Sequence, residues 1–172
     1  MKNILLIATG GTIASKDNGN GLTPSIDVNV LLDYIPVIRQ KCHVTGISLM
    51  NIDSSNMDTS HISSISECIM NNYNDYDGFV ITHGTDTMAY TASMVTFMLQ
   101  NLDKPVVFTG SQIPIGSPLS DAQSNLATAL AAIDHNVIGV TIAFNHKLMR
   151  GCRAVKVRTM GFDAFESVNS QS

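Results

Sequence analysis

Hydroxyl, carboxylate and glycine residues are concentrated in four short segments of this 172-residue sequence. The segments are Thr9–Thr12, Asp53–Asp58, Thr82–Thr87 and Thr109–Gln112. Threonine hydroxyls can act as nucleophiles, and glycine N–H groups can closely approach a carboxylate or a developing oxyanion. A nucleotide-phosphate site is not favoured, because the sequence has neither GxGxxG nor a lysine that follows a glycine run. The residue types therefore favour a small anionic or amide ligand.

Two of these segments directly follow apolar runs that are typical of buried strands. Leu5–Ala8 precedes the first segment and Phe79–Ile81 precedes the third. Ligands of open α/β sheets collect at the carboxyl ends of the strands, so we expect both segments to face one crevice. For either turn alone, a purely structural interpretation is available, since glycine permits positive φ and threonine caps helices.

Strands and helices are predicted to alternate along the whole chain. The predicted strands are Leu5–Ala8, Val44–Leu49, Gly78–Thr82, Pro105–Thr109 and Val137–Phe144. Repeated strand, turn and helix units predict an α/β fold with a doubly wound, mostly parallel sheet and helices on both faces, in flavodoxin-like or Rossmann-like layering. We expect residues 1–172 to form a single domain.

Four helices are predicted between these strands. The first begins after Ser25 as N-cap and is closed by Pro36. A capping box formed by Ser120 and Gln123 predicts the start of the last one. The expected core positions of the two helices between them are Ile62, Ile65, Ile69, Met70, Met88, Met94, Val95, Met98 and Leu99.

The composition is that of a globular domain with no affinity for polyanions. Hydrophobic residues make up 44% and charged residues 14% of the chain, whereas about 25% is usual for charged residues. The net charge of −4 gives no attraction to nucleic acid or to an anionic membrane. The amino-terminal apolar stretch is too short for a signal peptide or a membrane span, and three cysteines without CxxC spacing favour a reducing compartment. We therefore expect a cytoplasmic protein without a nucleic-acid or membrane partner.

Half of the ten basic residues lie near the carboxyl terminus, between residues 147 and 158. Lys147, Arg150 and Arg158 are interpreted as a solvated rim. The alternating pattern from Ala154 to Arg158 predicts a half-buried strand with Lys156 and Arg158 on one face.

The histidines and cysteines show no metal-ligand spacing, so we expect neither a metal nor a cofactor. His83 stands beside the third polar segment's glycine. A histidine in such a turn is interpreted as a core or orienting residue rather than as a catalyst.

Several of the polar segments carry longer motifs. Thr9–Ala14 (TGGTIA) and His83–Met88 (HGTDTM) resemble the two signature motifs of the bacterial L-asparaginases. Asp53–Met57 (DSSNM) and Gly110–Pro114 (GSQIP) are similar to the cytoplasmic type I branch of that family. The resemblance extends from residue 4 to about residue 169.

This resemblance implies hydrolysis of L-asparagine to L-aspartate and ammonia through an acyl-enzyme. It makes Thr12 the nucleophile, with Thr85, Asp86 and Lys156 as a supporting constellation. The substrate-binding residues that it implies are Gly11, Asp53, Ser54, Ser55, Thr85 and Asp86. As a base, Lys156 must be neutral; burial favours the neutral form whereas Asp86 favours the charged form. A base role and a role in polarising Thr85 therefore both remain open.

The sequence departs from the family pattern at two places. Many members have a tyrosine in the loop after the first motif, where this chain has Gly21–Pro24 (GLTP). Members also continue into a second, smaller domain after a segment similar to Phe162–Ser167, whereas this sequence ends at Ser172. The resemblance implies a homo-oligomer for full-length members, and for this N-terminal catalytic domain alone we expect self-association or instability. A catalytically silent module that binds asparagine or aspartate, and a structural remnant without a ligand, are the alternatives to an active amidohydrolase.

Overall fold

A six-stranded sheet forms the centre of the part of the chain that the structure describes. The structure is a computed structural model, and it describes residues 1–17, 22–24, 28–34 and 42–170. The sheet strands are β1 (Lys2–Gly10), β4 (Cys42–Ile52), β5 (Gly78–Thr82), β6 (Pro105–Thr109), β7 (Gly139–Phe144) and β8 (Lys147–Arg150). Their spatial order is β4-β1-β5-β6-β7-β8, and every neighbouring pair is parallel except β7 with β8.

Helices and short ribbons complete the described fold. The helices are α1 (Val28–Asp33), α2 (Thr59–Asn71), α3 (Met88–Met98) and α4 (Ala122–Asp134). The two antiparallel ribbons pair β2 (Ser15–Asp17) with β3 (Leu22–Pro24) and β9 (Ala154–Lys156) with β10 (Phe165–Ser167). Short 3-10 turns lie at Thr12–Ala14 and Ser54–Asn56. None of the described helices is long and apolar enough to cross a membrane.

Successive side chains of β1 belong to two different cores. Leu6 and Ala8 pack with α1 and α4, whereas Leu5 and Ile7 pack with α2 and α3. Because adjacent residues of a strand point to opposite faces of a sheet, both faces of this sheet are covered by helices. The predicted doubly wound, mostly parallel α/β fold is confirmed.

Two inner strands begin and end where the sequence predicts, whereas β1 (Lys2–Gly10 instead of Leu5–Ala8), β4 and β7 do not. Strands β5 and β6 match their predicted bounds. Strand β4 extends beyond the predicted Val44–Leu49 in both directions, because its register with β1 continues from Cys42 opposite Lys2 to Ile52 opposite Gly10. Strand β7 starts later than predicted, since the backbone N–H of Val137 still bonds to the carbonyl of Ala132 at the end of α4.

Three methionines that the sequence assigns to the core are partly exposed, and that prediction is wrong. The exposed fractions are 53% for Met70, 37% for Met94 and 44% for Met98. Helix α3 buries Met88, Ala92 and Val95 instead, which lie on one face at helical spacing. Its opposite face exposes Tyr90, Met94, Phe97 and Met98.

The predicted capping box is also wrong, since helix α4 begins one residue later, after Asp121. Ser120 Oγ accepts the backbone N–H of Ala122 at 3.1 Å and donates to the carbonyl of Ile113 at 2.8 Å. The predicted N-cap Ser25 and the closing Pro36 lie outside the described residues.

The basic rim is exposed as predicted at Lys147, Arg150 and Arg158. Strand β9, however, ends at Lys156, so the expectation that Lys156 and Arg158 share a strand face is wrong. Arg158 lies beyond the strand, where its guanidinium bonds to Glu166 at 3.2 Å and lies 3.4 Å from the carboxylate of Asp163.

Glycines allow the turns at the carboxyl edge of the sheet to touch through their backbones. A Cβ added at Gly11, where φ is +79°, would lie 2.5 Å from Cα of Gly84. A Cβ added at Gly84 would lie 2.5 Å from Oγ of Ser54, and one at Gly110 would overlap the carbonyl oxygen of His83. Only residues without a Cβ permit this spacing between the turns.

We predict that alanine substitutions at three glycines separate the cost of positive φ from the cost of Cβ overlap. Gly139→Ala meets positive φ (+96°) with nothing within 4 Å and should lower the free energy of unfolding by about 1 kcal/mol. Gly110→Ala meets only the clash with His83 and should cost about 1–3 kcal/mol. Gly11→Ala combines both penalties and should be the most destabilising in urea unfolding. Equal losses at Gly11 and Gly139 would contradict the backbone contact.

Candidate active site

Thr12 is held above the end of β1 by two glycines with positive φ. The chain turns at Gly10 (φ 105°) and Gly11 (φ 79°), and the N–H of Gly11 donates to the carbonyl of Ile52 at 3.2 Å. Ser15 Oγ closes the following 3-10 turn by donating to the carbonyl of Gly11 at 2.9 Å. Thr12 is half-buried, and its hydroxyl makes no hydrogen bond to a described residue.

The turn after β4 holds a carboxylate in a fixed position. Asp53 Oδ1 accepts both the backbone N–H and the hydroxyl of Ser55, each at 2.8 Å. These two bonds outweigh partial burial and lower the pKa of Asp53 from its ordinary value, so the side chain is ionised at neutral pH. Ser54 is buried beside it.

The turn after β5 is hydrogen-bonded to each of the other three polar segments. Thr9 Oγ1 donates to the carbonyl of Thr82 at 2.8 Å, and Thr87 Oγ1 donates to the carbonyl of Ser54 at 2.7 Å. The backbone N–H of His83 bonds to the carbonyl of Thr109 at 2.9 Å. Side-chain and backbone bonds therefore fix the four polar segments relative to one another.

Lys156 reaches this turn from the β9–β10 ribbon. Its Nζ donates to Thr85 Oγ1 at 2.9 Å and to Asp86 Oδ1 at 2.6 Å. The lysine side chain is 13% exposed and that of Asp86 is 61% exposed, so solvent screens the pair and its contribution to stability is about 1 kcal/mol or less. Its consequence is geometric, because it fixes Nζ of Lys156 against the Thr85 hydroxyl.

These turns enclose a small cavity of about 70 Å³. Its lining residues are Gly11, Thr12, Ser15, Asp53, Ser54, Gly84, Thr85 and Asp86. Six of the eight predicted site residues therefore surround one cavity. The other two do not line it: the Ser55 hydroxyl is turned onto Asp53, and Lys156 lies behind Thr85.

Ser15 and Gly84 line the cavity although the sequence analysis assigned neither of them a role. Gly84 stands inside the second signature motif, so its position was a usable signal. Ser15 follows the first motif, and nothing in the local pattern distinguishes it from an ordinary turn serine.

Gln112 is a further polar residue at the site that the sequence analysis did not assign. Its Oε1 lies 3.2 Å from Thr85 Oγ1, and its Nε2 donates to the carbonyls of Thr159 at 3.2 Å and Gly161 at 3.0 Å. Its backbone N–H donates to the carboxylate of Asp121 at 3.1 Å. The sequence signal that could have indicated Gln112 is its place in Thr109–Gln112, the fourth polar segment, which follows a strand.

His83 is fully buried and does not line the cavity. Its Nδ1–H donates to the carbonyl of Gly84 at 2.7 Å, and its ring meets that of Phe108 edge-on. Burial lowers the pKa of His83 from 6.5 to about 4, against a smaller opposing effect of the Gly84 bond. The ring is therefore neutral at pH 7, and Nε2 lacks a hydrogen-bond partner among the described residues. The described residues contain no group of three or more side chains that could hold a metal ion.

A larger cavity of about 230 Å³ lies away from these turns, where α4 packs beside β1 and β4. Its lining residues are Lys2, Ile4, Cys42, Ala127, Leu130, Ala131, Asp134 and His135. Lys2 Nζ is already bonded to the carbonyls of Ile133 and Asp134. None of the polar turns reaches this cavity, so it is not assigned to the site.

We predict that His83 makes stability pH-dependent between about pH 6.5 and pH 4. The unfolded chain binds a proton at this histidine below about pH 6.5, whereas the folded chain does not until about pH 4. The free energy of unfolding should therefore fall as the pH is lowered through this window, by about 3 kcal/mol in total. His83→Asn keeps an N–H donor without titrating and should flatten the dependence in urea unfolding. His135→Asn, at an exposed histidine, is the control; an unchanged slope in His83→Asn would contradict the prediction.

Comparisons with known proteins cover almost the whole chain. The family model described as Asparaginase, N-terminal, matches residues 3–172. L-asparaginase 1 of Escherichia coli K12 is 44% identical over 176 residues, which cover 98% of this chain and 51% of the relative.

Solved structures show the same similarity. The thermostable L-asparaginase from Thermococcus kodakarensis superimposes with a TM-score of 0.91 at 38% identity, covering 98% of this chain and 52% of the other. A probable cytoplasmic L-asparaginase from Campylobacter jejuni gives a TM-score of 0.87 at 34% identity, covering 97% and 52%. The chain thus spans about half the length of the curated relatives it matches. It belongs to the asparaginase family, and the region that it matches is that family's N-terminal domain.

Proposed function

We propose that this chain is an amidohydrolase domain that converts L-asparagine to L-aspartate and ammonia. The observation that carries the proposal is the assembly of Thr12, Asp53 and the Thr85–Asp86 pair around one small cavity, with Lys156 bonded to that pair. The L-asparaginase names of the relatives support the substrate class. Hydrolysis of a carboxamide requires a nucleophile, a group that takes its proton and hydrogen-bond donors for the oxyanion. The hydroxyl, carboxylate and amine groups at this cavity are of the types that can fill these roles.

Substrate binding is proposed to use the charges that line the cavity. Asp53 is ionised and held by Ser55, so it can accept the α-ammonium group of an amino acid without reorganising. Asp86 offers a second carboxylate to the α-ammonium group, and the Ser54 hydroxyl is proposed to donate to the α-carboxylate. The N–H of Gly11 is already bonded to Ile52, so Gly11 contributes a wall without a side chain. A zwitterionic amino acid therefore matches the lining better than a neutral amide.

In the proposed chemistry, Thr12 Oγ1 attacks the side-chain amide carbon of asparagine. The tetrahedral intermediate collapses as the amide nitrogen takes up a proton and leaves as ammonia, which leaves an ester on Thr12. Water then attacks this ester and releases aspartate and the free hydroxyl. Thr85, Asp86 and Lys156 support proton movement, with Lys156 either as base or as the group that polarises Thr85.

A catalytically silent module that binds asparagine or aspartate is the second candidate. The observation that favours it is the Thr12 hydroxyl, which has no hydrogen-bond partner among the described residues. A nucleophile without a neighbouring base is weakly activated. Binding would depend on Asp53 and Asp86 and would not need Thr12.

Domain organisation, assembly and location are proposed along with the activity. We propose that the chain corresponds to the N-terminal catalytic domain of the family and acts in the cytoplasm. Self-association stays a prediction, and the apolar outer face of α3 supports it.

We predict that Thr12→Ala abolishes ammonia release from asparagine while aspartate still raises the melting temperature. The substitution removes the attacking oxygen but leaves Asp53 and Asp86 in the cavity. A coupled ammonia assay and a thermal-shift titration with aspartate measure the two effects. Ser124→Ala on α4 is the matched control for loss of a hydroxyl away from the cavity. Ammonia release that persists in Thr12→Ala would exclude Thr12 as nucleophile, and ligand-induced stabilisation without any wild-type turnover would select the binding module.

We predict that Lys156→Arg lowers kcat at least about 100-fold. A guanidinium cannot become neutral in a protein and cannot fit the short Nζ contacts with Thr85 and Asp86. Lys147→Arg, at an exposed lysine of the basic rim, is the control and should retain wild-type turnover. Full turnover in Lys156→Arg would rule out the base role and leave only polarisation by a fixed positive charge.

A further inference from the structure

The orientation of the Gln112 amide is fixed by three hydrogen bonds. Its Nε2 faces the carbonyl oxygens of Thr159 at 3.2 Å and Gly161 at 3.0 Å. Carbonyl oxygens only accept, so the NH₂ end of the amide must face them and Oε1 must face the other way. Oε1 then lies 3.2 Å from the hydroxyl of Thr85.

This orientation determines where the Thr85 hydroxyl points its hydrogen. An amide oxygen cannot donate, so Thr85 must be the donor in its contact with Gln112. Thr85 Oγ1 therefore receives the 2.9 Å contact from Lys156 Nζ through a lone pair. A hydroxyl has one hydrogen and two lone pairs, and the second lone pair remains for a ligand in the cavity that Thr85 lines.

The backbone of Gln112 is held by residues at the start of α4, which do not line the cavity. The carboxylate of Asp121 accepts the backbone N–H groups of Gln112 and Ile113, each at 3.1 Å, and the side chain of Asn125 at 3.0 Å. Asn125 is fully buried and also donates to the carbonyl of Gly110 at 2.9 Å. Helix α4 thus anchors the loop that carries Gln112.

We propose that Gln112 is a positioning residue that turns Thr85 into a hydrogen-bond acceptor toward the cavity. Because the Thr85 hydroxyl donates its only hydrogen to Gln112, it can only accept from Lys156. One lone pair of Thr85 Oγ1 then remains for a proton-bearing group of substrate or water. The same amide ties Thr85 to residues 159–161, which follow Lys156 in the chain. This inference rests on the proposed asparagine hydrolysis for its catalytic consequence, but not for the direction of the hydrogen bond.

Two substitutions separate this role from simple support of residues 159–161. Gln112→Met removes every polar contact of the side chain at nearly constant size, whereas Gln112→Glu keeps an oxygen opposite Thr85 and loses the Nε2 donors. Positioning through Oε1 predicts that kcat for asparagine falls about tenfold in Gln112→Met, with KM within about twofold, and is largely restored in Gln112→Glu. Support of residues 159–161 alone predicts the opposite order, since a carboxylate facing two carbonyls is worse than a thioether. That order would overturn the proposal.

The exposed Gln123 on α4 supplies the matched control. Gln123→Met should leave kcat, KM and the melting temperature at their wild-type values. Thermal unfolding of each variant shows whether a loss of kcat reflects a loss of folded protein, and the comparison of Gln112→Met with Gln112→Glu is made only at temperatures where both are folded.

Side-chain amide exchange tests the orientation without any reference to activity. In a ¹⁵N NMR spectrum the Gln112 NH₂ protons, assigned by their absence in Gln112→Met, should exchange at least about tenfold more slowly than those of Gln123. Equal exchange rates would overturn the proposal. If the wild-type chain releases no ammonia, the proposed hydrolysis fails, while slow exchange at Gln112 still supports the assigned direction of the Thr85 bond and fast exchange still refutes it.

Discussion

Direct contact between the backbones of neighbouring turns is the constraint on which the site depends. A Cβ on Gly11 would overlap the backbone of Gly84, and a Cβ on Gly84 would overlap the side chain of Ser54. Bonds such as that from Thr87 to the Ser54 carbonyl then fix the remaining freedom. Because these contacts leave no room for side chains between adjacent strand ends, the cavity that the turns enclose is small, about 70 Å³.

Most of the polar groups around the cavity are held in place by hydrogen bonds to neighbouring residues. Asp53 is held by Ser55, and Thr85 is held between Lys156 and Gln112. His83 supports the turn from beneath as a neutral donor, since its burial would make a charge costly. These groups are preorganised to bind and to stabilise charge, which is the larger share of what an amide-hydrolysing site must supply.

Much of this arrangement is predictable from the sequence, because strand ends and glycine turns have strong local signals. The apolar run before Thr12 and the one before Thr85 both have strand length, and parallel strands bring their carboxyl ends to one edge. Lys156 has no such signal, since it lies 70 residues from Asp86 in the chain, and only the family resemblance indicated it. Ser15 and Gln112 were missed because their roles depend on which turns touch. Met94 and Met98 of α3 were misassigned because Met88–Met98 contains no charged residue, so periodicity alone cannot decide which of its faces is buried.

Thr12 differs from the other polar residues of the cavity in its hydrogen bonding, and this difference separates substrate binding from the chemical step of the proposed reaction. The two carboxylates proposed to hold an amino acid, Asp53 and Asp86, are each bonded to another described residue. The Thr12 hydroxyl, the proposed nucleophile, is not bonded to a described residue. Binding needs only the fixed groups, whereas turnover also needs a group that takes the proton from Thr12 as the new bond forms. Within the described residues, the groups proposed for binding are therefore fixed more completely than those proposed for the chemical step. Loss of affinity and loss of turnover should be separable by substitution at different residues of the same cavity.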